Sequence, residues 1–357
     1  MFLIILIAVS LFFLEYAWLL RLSASTKTET DNLPPIWYTT LPTITLGFIG
    51  CLCSYFLIPE QQDAVIPLTC WHQIIFFLSA FGILFLLNRT SNLKLQFITI
   101  LFCCTLNCLY LPADINITDG LLSPWLEKLI LALIWSLFAF FYYTLNGVEG
   151  ILSIQSLSIC LGTVLMFAIG IMPQIDGAYS LIFTALFIGI SYFTRYPAAL
   201  TLNDSSCMIL GLLIGWLGIL SAIEGSGSCF IILSMYYIYE TLTALLKKLN
   251  FQRQFKKMIH NTFYNQLASA GIAPQTIAEL VAKINMIMIL LAGFQIYAPN
   301  SYTMILISFF MVFWVTSKTL TPQEGNNHLL LSGNLLSFLR SSPKQKKSTI
   351  SNADKDE

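Results

Sequence analysis

The sequence predicts an all-α fold: a polytopic transmembrane helical bundle of about 11 spans, with the N-terminus outside and the C-terminus cytoplasmic. Three observations carry this expectation. Hydrophobic residues make up 57% of the 357 residues, charged residues 10%, and mean hydropathy is +0.76. That is more apolar surface than a water-soluble core can hide, so lipid must be the solvent for much of the chain. Apolar runs of about 17 to 21 residues, the length that crosses a hydrocarbon core, recur from end to end. Finally, the basic residues sort onto one side of the topology those runs imply.

The runs place spans near 2-20, 41-58, 69-87, 95-111, 128-145, 151-171, 178-194, 207-223, 228-245, 281-298 and 302-320. Pro, Gly, Asn and Asp occupy the breaks, as turns at a water interface require. No strand alternation or fixed-period repeat is present, which leaves helices. The first run has no basic segment before it and exceeds a typical signal-peptide core, so it reads as a retained span.

Cytoplasmic loops retain Lys and Arg. With the N-terminus outside, the inner loops and tail hold Arg21, Lys27, Arg89, Lys94, Arg195, Lys247, Lys248, Arg253, Lys256, Lys257, Lys283, Lys318, Arg340, Lys344, Lys346, Lys347 and Lys355. Of 18 basic residues only Lys128 is left outside. An error of one span in mid-chain would scramble that split.

Residues 1-321 thus read as the membrane domain. Within it the long inner loop, about 246-280, spaces Phe251, Phe255, Ile259, Phe263 and Leu267 four residues apart with Arg253, Lys256 and Lys257 between them. This predicts an amphipathic helix at the lipid interface, its basic face toward anionic lipid or simply anchoring the loop. Residues 322-357 form a cytoplasmic polar tail, expected to be disordered after Leu339. A net charge of +0 leaves no field that would draw nucleic acid, so the bilayer is the expected partner. Most of the nine cysteines fall inside apolar runs, where a thiol behaves as a small hydrophobe.

Three inner loops hold polar residues beyond what a turn needs. Asn146-Gly147-Val148-Glu149-Gly150 has two glycines for a tight turn and a carboxylate. Arg195-Tyr196-Pro197 leads to Leu202-Asn203-Asp204-Ser205-Ser206, where Asp204 opens a span and its plainest role is to cap it. Asn88-Arg89-Thr90-Ser91-Asn92-Leu93-Lys94 offers two cations for phosphate or for anchoring. Elsewhere Glu15 and His72 lie in or beside lipid and read as helix contacts, and Asn116-Ile117-Thr118 is a short glycosylation-type match.

In their order, these loops resemble the polyprenyl-phosphate N-acetylhexosamine-1-phosphate transferases. That family includes the phospho-muramoyl-pentapeptide translocase and the undecaprenyl-phosphate GlcNAc-1-phosphate transferase. Phe81-Gly82 through Leu87-Asn88-Arg89 and Lys94-Leu95-Gln96 is similar to its G-x-x-D-D-R stretch and K-L-x-x-Q continuation, with Leu87 and Asn88 at the aspartate pair. Residues 145-151 resemble N-x-x-D-G-x-D-G-L: Tyr143 stands at the Asn, Asn146 at the first Asp, and Glu149 at the second. Leu202 to Cys207, with Gly211, resembles G-D-x-G-S-x-x-x-G and keeps Asp204. The family's H-x-H-H-x-L segment falls on Thr262, Tyr264 and Asn265, with His260 nearby, and the Pro-rich stretch Leu33-Pro34-Pro35 and Pro42 stands in for P-x-x-G-G.

The resemblance implies a cytoplasmic-face site at the bacterial inner membrane, where UDP-sugar and polyprenyl phosphate give lipid-linked sugar and UMP with Mg²⁺. It assigns Asp204 to catalysis and metal, with Asn88 and Asn146 at substituted aspartate positions. Glu149, Gly147, Gly150, Lys94 and Arg89 are assigned to substrate. Loss of the paired carboxylates removes the main metal ligands and base, and Glu240 or Asp31 would have to supply another. Two functions therefore follow: a divergent sugar-1-phosphate transferase, or an inactive relative that keeps a lipid- or nucleotide-sugar-binding groove. A transporter is a third, disfavoured because mid-span charge is nearly absent.

Overall fold

A computed structural model of the chain describes residues 2–28, 40–57, 70–90, 92–111, 122–170, 174–249, 262–297 and 302–320. Regular structure among them is entirely helical. The helices are α1 (Phe2–Thr28), α2 (Thr40–Leu57), α3 (Cys70–Arg89), α4 (Leu93–Tyr110), α5 (Pro124–Phe141), α6 (Ile151–Ala168) and α7 (Gln174–Thr194), followed by α8 (Asp204–Ile223), α9 (Gly227–Leu233), α10 (Met235–Leu249), α11 (Phe263–Ser269), α12 (Pro274–Phe294) and α13 (Thr303–Leu320). A short 3₁₀ helix, Tyr142–Leu145, continues α5 to the turn before α6.

Local signals set several of these ends. Asn92 caps α4, its side chain accepting from the Lys94 N–H, and Pro124 and Pro274 stand in the first turns of α5 and α12. Gly150, at φ +84°, turns the chain into α6 in a conformation that L side chains avoid.

Eight helices among the described residues are long and apolar enough to cross a membrane. A ninth crossing arises if α9 and α10, bent by 65° about Ser234, form one broken span. The runs near 69-87 and 302-320 contain shorter apolar helical stretches, Ile74–Leu87 and Thr303–Thr319. Each of the eleven apolar runs thus contains helix, eight of them at full crossing length.

The bundle is organised around α8, 83% of whose span is buried against 28% for α1 and α4. Lipid-facing helices surround one central helix. Glycines let neighbours close on it: a Cβ on Gly215 would run into the Trp135 ring and one on Gly211 into Tyr142. Trp135 donates from Nε1 to the Leu212 carbonyl at 3.1 Å, and Trp216 stacks on Phe76 with ring centroids 4.8 Å apart. Glu15 is fully buried and accepts from Thr43 Oγ1 at 2.7 Å, a contact between α1 and α2.

Two expectations need correction. The loop at about 246-280 does not continue as one amphipathic helix through Leu267: Thr262 is extended, and α11 starts afresh at Phe263. Phe263 and Leu267, each 2% exposed, face the bundle core rather than the lipid interface. The span expected near 281 starts at Pro274, because that proline opens a helix whose buried stripe already includes Ile277. Phe251, Arg253, Phe255, Lys256, Lys257 and Ile259 lie outside the described residues, as do His260, Asp31, Asn116, the Leu33 to Pro35 stretch and the 322-357 tail; the His72 side chain does too.

Candidate functional site

Two of the polar loops meet where the turn after α5 touches the start of α8. Asn203 is the cap of α8: its Oδ1 accepts from the Ser206 N–H at 2.8 Å. This corrects the capping role expected of Asp204. With Asn203 in that position, Asp204 becomes the first helical residue and its half-buried carboxylate is left for other contacts. The contact it makes is to Asn146, whose Nδ2 lies 3.4 Å from Asp204 Oδ1 and also donates to the Leu202 carbonyl at 2.9 Å. Two residues 58 apart in sequence are therefore neighbours.

Glu149 is exposed and accepts from the Ala198 N–H at 3.0 Å through Oε2, tying its loop to the segment before α8. Between these segments opens a pocket of ≈ 170 Å³ whose lining includes Asn146, Glu149, Ser153, Thr194 and Thr201. Gly147 and Gly150 line it too, and both need to be glycine. A Cβ on Gly150 would approach the Arg195 backbone at 3.3 Å, and one on Gly147 would strike the Asn265 side chain and, at 2.6 Å, the Tyr264 ring.

The α3–α4 turn comes to the same end of the bundle through backbone rather than charge. Leu87 is 1% exposed, and its carbonyl accepts from Ser205 Oγ at 3.4 Å. Gln96 closes the turn by donating to the Thr90 carbonyl at 2.8 Å. Arg89 is exposed and lies over the Phe85 ring, 5.2 Å from its centroid, and Lys94 is exposed on α4. Neither cation lines the pocket. Asn88 lies in the last turn of α3, and its side chain falls outside the described residues.

Tyr264 makes contacts that sequence reasoning missed. Tyr264 is fully buried and donates its hydroxyl to the Thr144 carbonyl. Burial pushes its phenol well above the ordinary tyrosine range, so it remains a donor at physiological pH. Glu240 does not join Asp204 as a second carboxylate. It accepts from the Tyr236 hydroxyl at 3.0 Å and from the Phe263 N–H at 3.0 Å, clasping α11 to α10. Tyr143 is also buried beside Asp204, and its hydroxyl has no hydrogen-bond partner among the described residues. No signal in the sequence said which residues this layer would touch.

Mg²⁺ needs near-octahedral oxygen coordination and is ordinarily held by one or two carboxylates plus phosphate. Here one carboxylate faces an amide N–H, and no three His, Cys, Asp or Glu side chains among the described residues are grouped to hold a metal. That donor set does not fit the ion.

Long apolar helices around a buried central helix, with polar loops gathered at one end, define a helical integral membrane protein. No protein-family model matches the chain, and a search of the curated proteins finds no match.

Proposed function

We propose that the chain is an eleven-span protein of the bacterial plasma membrane, an inactive relative of the sugar-1-phosphate transferases that binds polyprenyl phosphate or nucleotide sugar at its inner face. The observation that carries this reading is the Asn146 amide donating toward Asp204, where the family has a carboxylate. An amide N–H repels a cation, so the pair disfavours metal-dependent phosphoryl transfer while leaving a polar corner. The pocket beside it supports binding, being lined by a carboxylate, hydroxyls and backbone.

One observation favours the second reading, a divergent transferase: Asn203 takes the capping role and leaves Asp204 with a half-buried carboxylate at the start of α8. Transfer of labelled sugar-1-phosphate from UDP-GlcNAc and UDP-MurNAc-pentapeptide to undecaprenyl phosphate separates the two. With Mg²⁺ and an active family member in parallel, no turnover together with retention of undecaprenyl phosphate in native mass spectra supports the binding protein. Turnover abolished by Asp204→Asn would establish the transferase instead.

A further inference from the structure

Two buried amides stand beside the break between α9 and α10. Gln155 on α6 is 0% exposed and Asn285, midway along α12, is 1% exposed. Gln155 Nε2 donates to the carbonyl of Leu233, the last residue of α9, at 3.4 Å, and its Oε1 has no hydrogen-bond partner among the described residues. Asn285 has none for either Oδ1 or Nδ2. Buried side-chain amides are normally satisfied, and hydrocarbon around a bundle offers no partner to make up the loss.

Contacts among α6, α9 and α12 set the depth of these groups. Helix α9 meets α12 where Cys229 Sγ donates to the Ala292 carbonyl at 3.7 Å, and it meets α6 where a Cβ on Gly162 would strike the Leu233 side chain at 2.4 Å. Gln155 and Gly162 are seven residues apart on one stripe of α6, as Asn285 and Ala292 are on α12. Helix α9 leaves the far end of α8, whereas α12 starts after α11 at the Asp204 end, so the two run in opposite directions. From the Cys229–Ala292 contact toward the Asp204 end, α9 reaches Leu233 after about 6 Å and α12 reaches Asn285 after about 10 Å. Asn285 therefore stands on the α9 side of its helix, at the depth of the break.

A helix that ends leaves its last carbonyls without intrahelical partners, and the 65° bend turns those of α9 out of line with α10. The Ser234 hydroxyl is already engaged, donating to the Phe230 carbonyl at 2.8 Å. What the break presents is a set of uncharged oxygens: Gln155 Oε1, Asn285 Oδ1 and the Leu233 carbonyl. Uncharged oxygens suit a singly charged cation, which backbone and amide carbonyls coordinate where membrane helices break. A divalent ion calls for carboxylates instead.

We propose that the break between α9 and α10 is a binding site for an alkali cation, held by Gln155, Asn285 and the Leu233 carbonyl. Neither amide lines the pocket at the 146–150 turn, and the site does not depend on the ligand proposed there.

Thermal unfolding of the full-length protein in detergent, compared in NaCl, KCl and choline chloride at one ionic strength, tests the site. Sodium or potassium is expected to raise the melting temperature by about 3 °C or more over choline, with a saturable dependence on concentration. Asn285→Leu, which removes two of the three unpartnered atoms, is expected to lose that shift. Gln155→Leu provides the same comparison if Asn285→Leu does not fold. No shift over choline in the wild type overturns the site and leaves the amides to buried water. A shift that persists undiminished in the leucine variants overturns it as well, because the ion then binds elsewhere.

Discussion

The Asn146 amide and the Asp204 carboxylate face each other across 3.4 Å, joining the turn after α5 to the first residue of α8. The donor compensates part of the carboxylate's charge. Putting an acid there reverses the balance, since two carboxylates at that separation repel unless a cation bridges them. Asn146→Asp is therefore expected to lower thermal stability in chelator and to regain it with added Mg²⁺. The wild type is expected to show no such dependence. Thermal unfolding in detergent, with and without Mg²⁺, checks this, and an equal Mg²⁺ response in both proteins contradicts it.

Glu240 holds two buried donors at once, the Tyr236 hydroxyl and the Phe263 N–H. Glu240→Ala strands both, and each unsatisfied buried donor costs about 1–3 kcal/mol. Glu240→Gln keeps one acceptor oxygen and is expected to cost about half as much. Hydrogen exchange should place the loss in residues 262–270 before the rest of the bundle. Uniform loss along the chain would show that Glu240 supports the core rather than α11.

How far the sequence could be read follows from which interactions set each feature. Span positions were legible because hydropathy acts locally: the run predicted at 151-171 is α6, and the one at 207-223 lies inside α8. The 65° bend at Ser234 left no such mark. Phe263 and Leu267 were misassigned because four-residue spacing is the same whether a helix lies on lipid or on protein. The meeting of Asn146 with Asp204 was not legible, because 58 residues of chain separate them and only tertiary packing joins them. Asn203 as the cap was hidden by its neighbour, since Asn and Asp are both good caps and only backbone geometry chooses between them.

Gly150 and Gly170 make a matched test of the inner turn. Both have φ +84°, but a Cβ on Gly150 would meet the Arg195 backbone at 3.3 Å, whereas on Gly170 it would meet nothing within 4 Å. Gly170→Ala is expected to cost only the left-handed backbone penalty, about 1–2 kcal/mol. Gly150→Ala adds a contact with backbone that cannot rotate away, so its melting temperature should fall further. Equal losses would mean that the segment around Arg195 yields.

Orientation rests on charge: Lys128 alone stands on the side assigned as outer, while Arg89, Lys94 and Arg195 stand on the side of Asp204. A reversed bundle would retain one basic residue and export the rest, against the bias that sets topology. Ser123 and Ser269 are both exposed, Ser123 before α5 and Ser269 at the end of α11, and sit at opposite ends of the proposed arrangement. Introduced singly, Ser123→Cys is expected to react with a membrane-impermeant maleimide on intact spheroplasts. Ser269→Cys should react only after permeabilisation. The opposite pattern would put α11, Asn146 and Asp204 outside the cell, away from any cytoplasmic nucleotide sugar. Since the pocket and the carboxylate share one end of the bundle, this single comparison decides for both which compartment their ligand comes from.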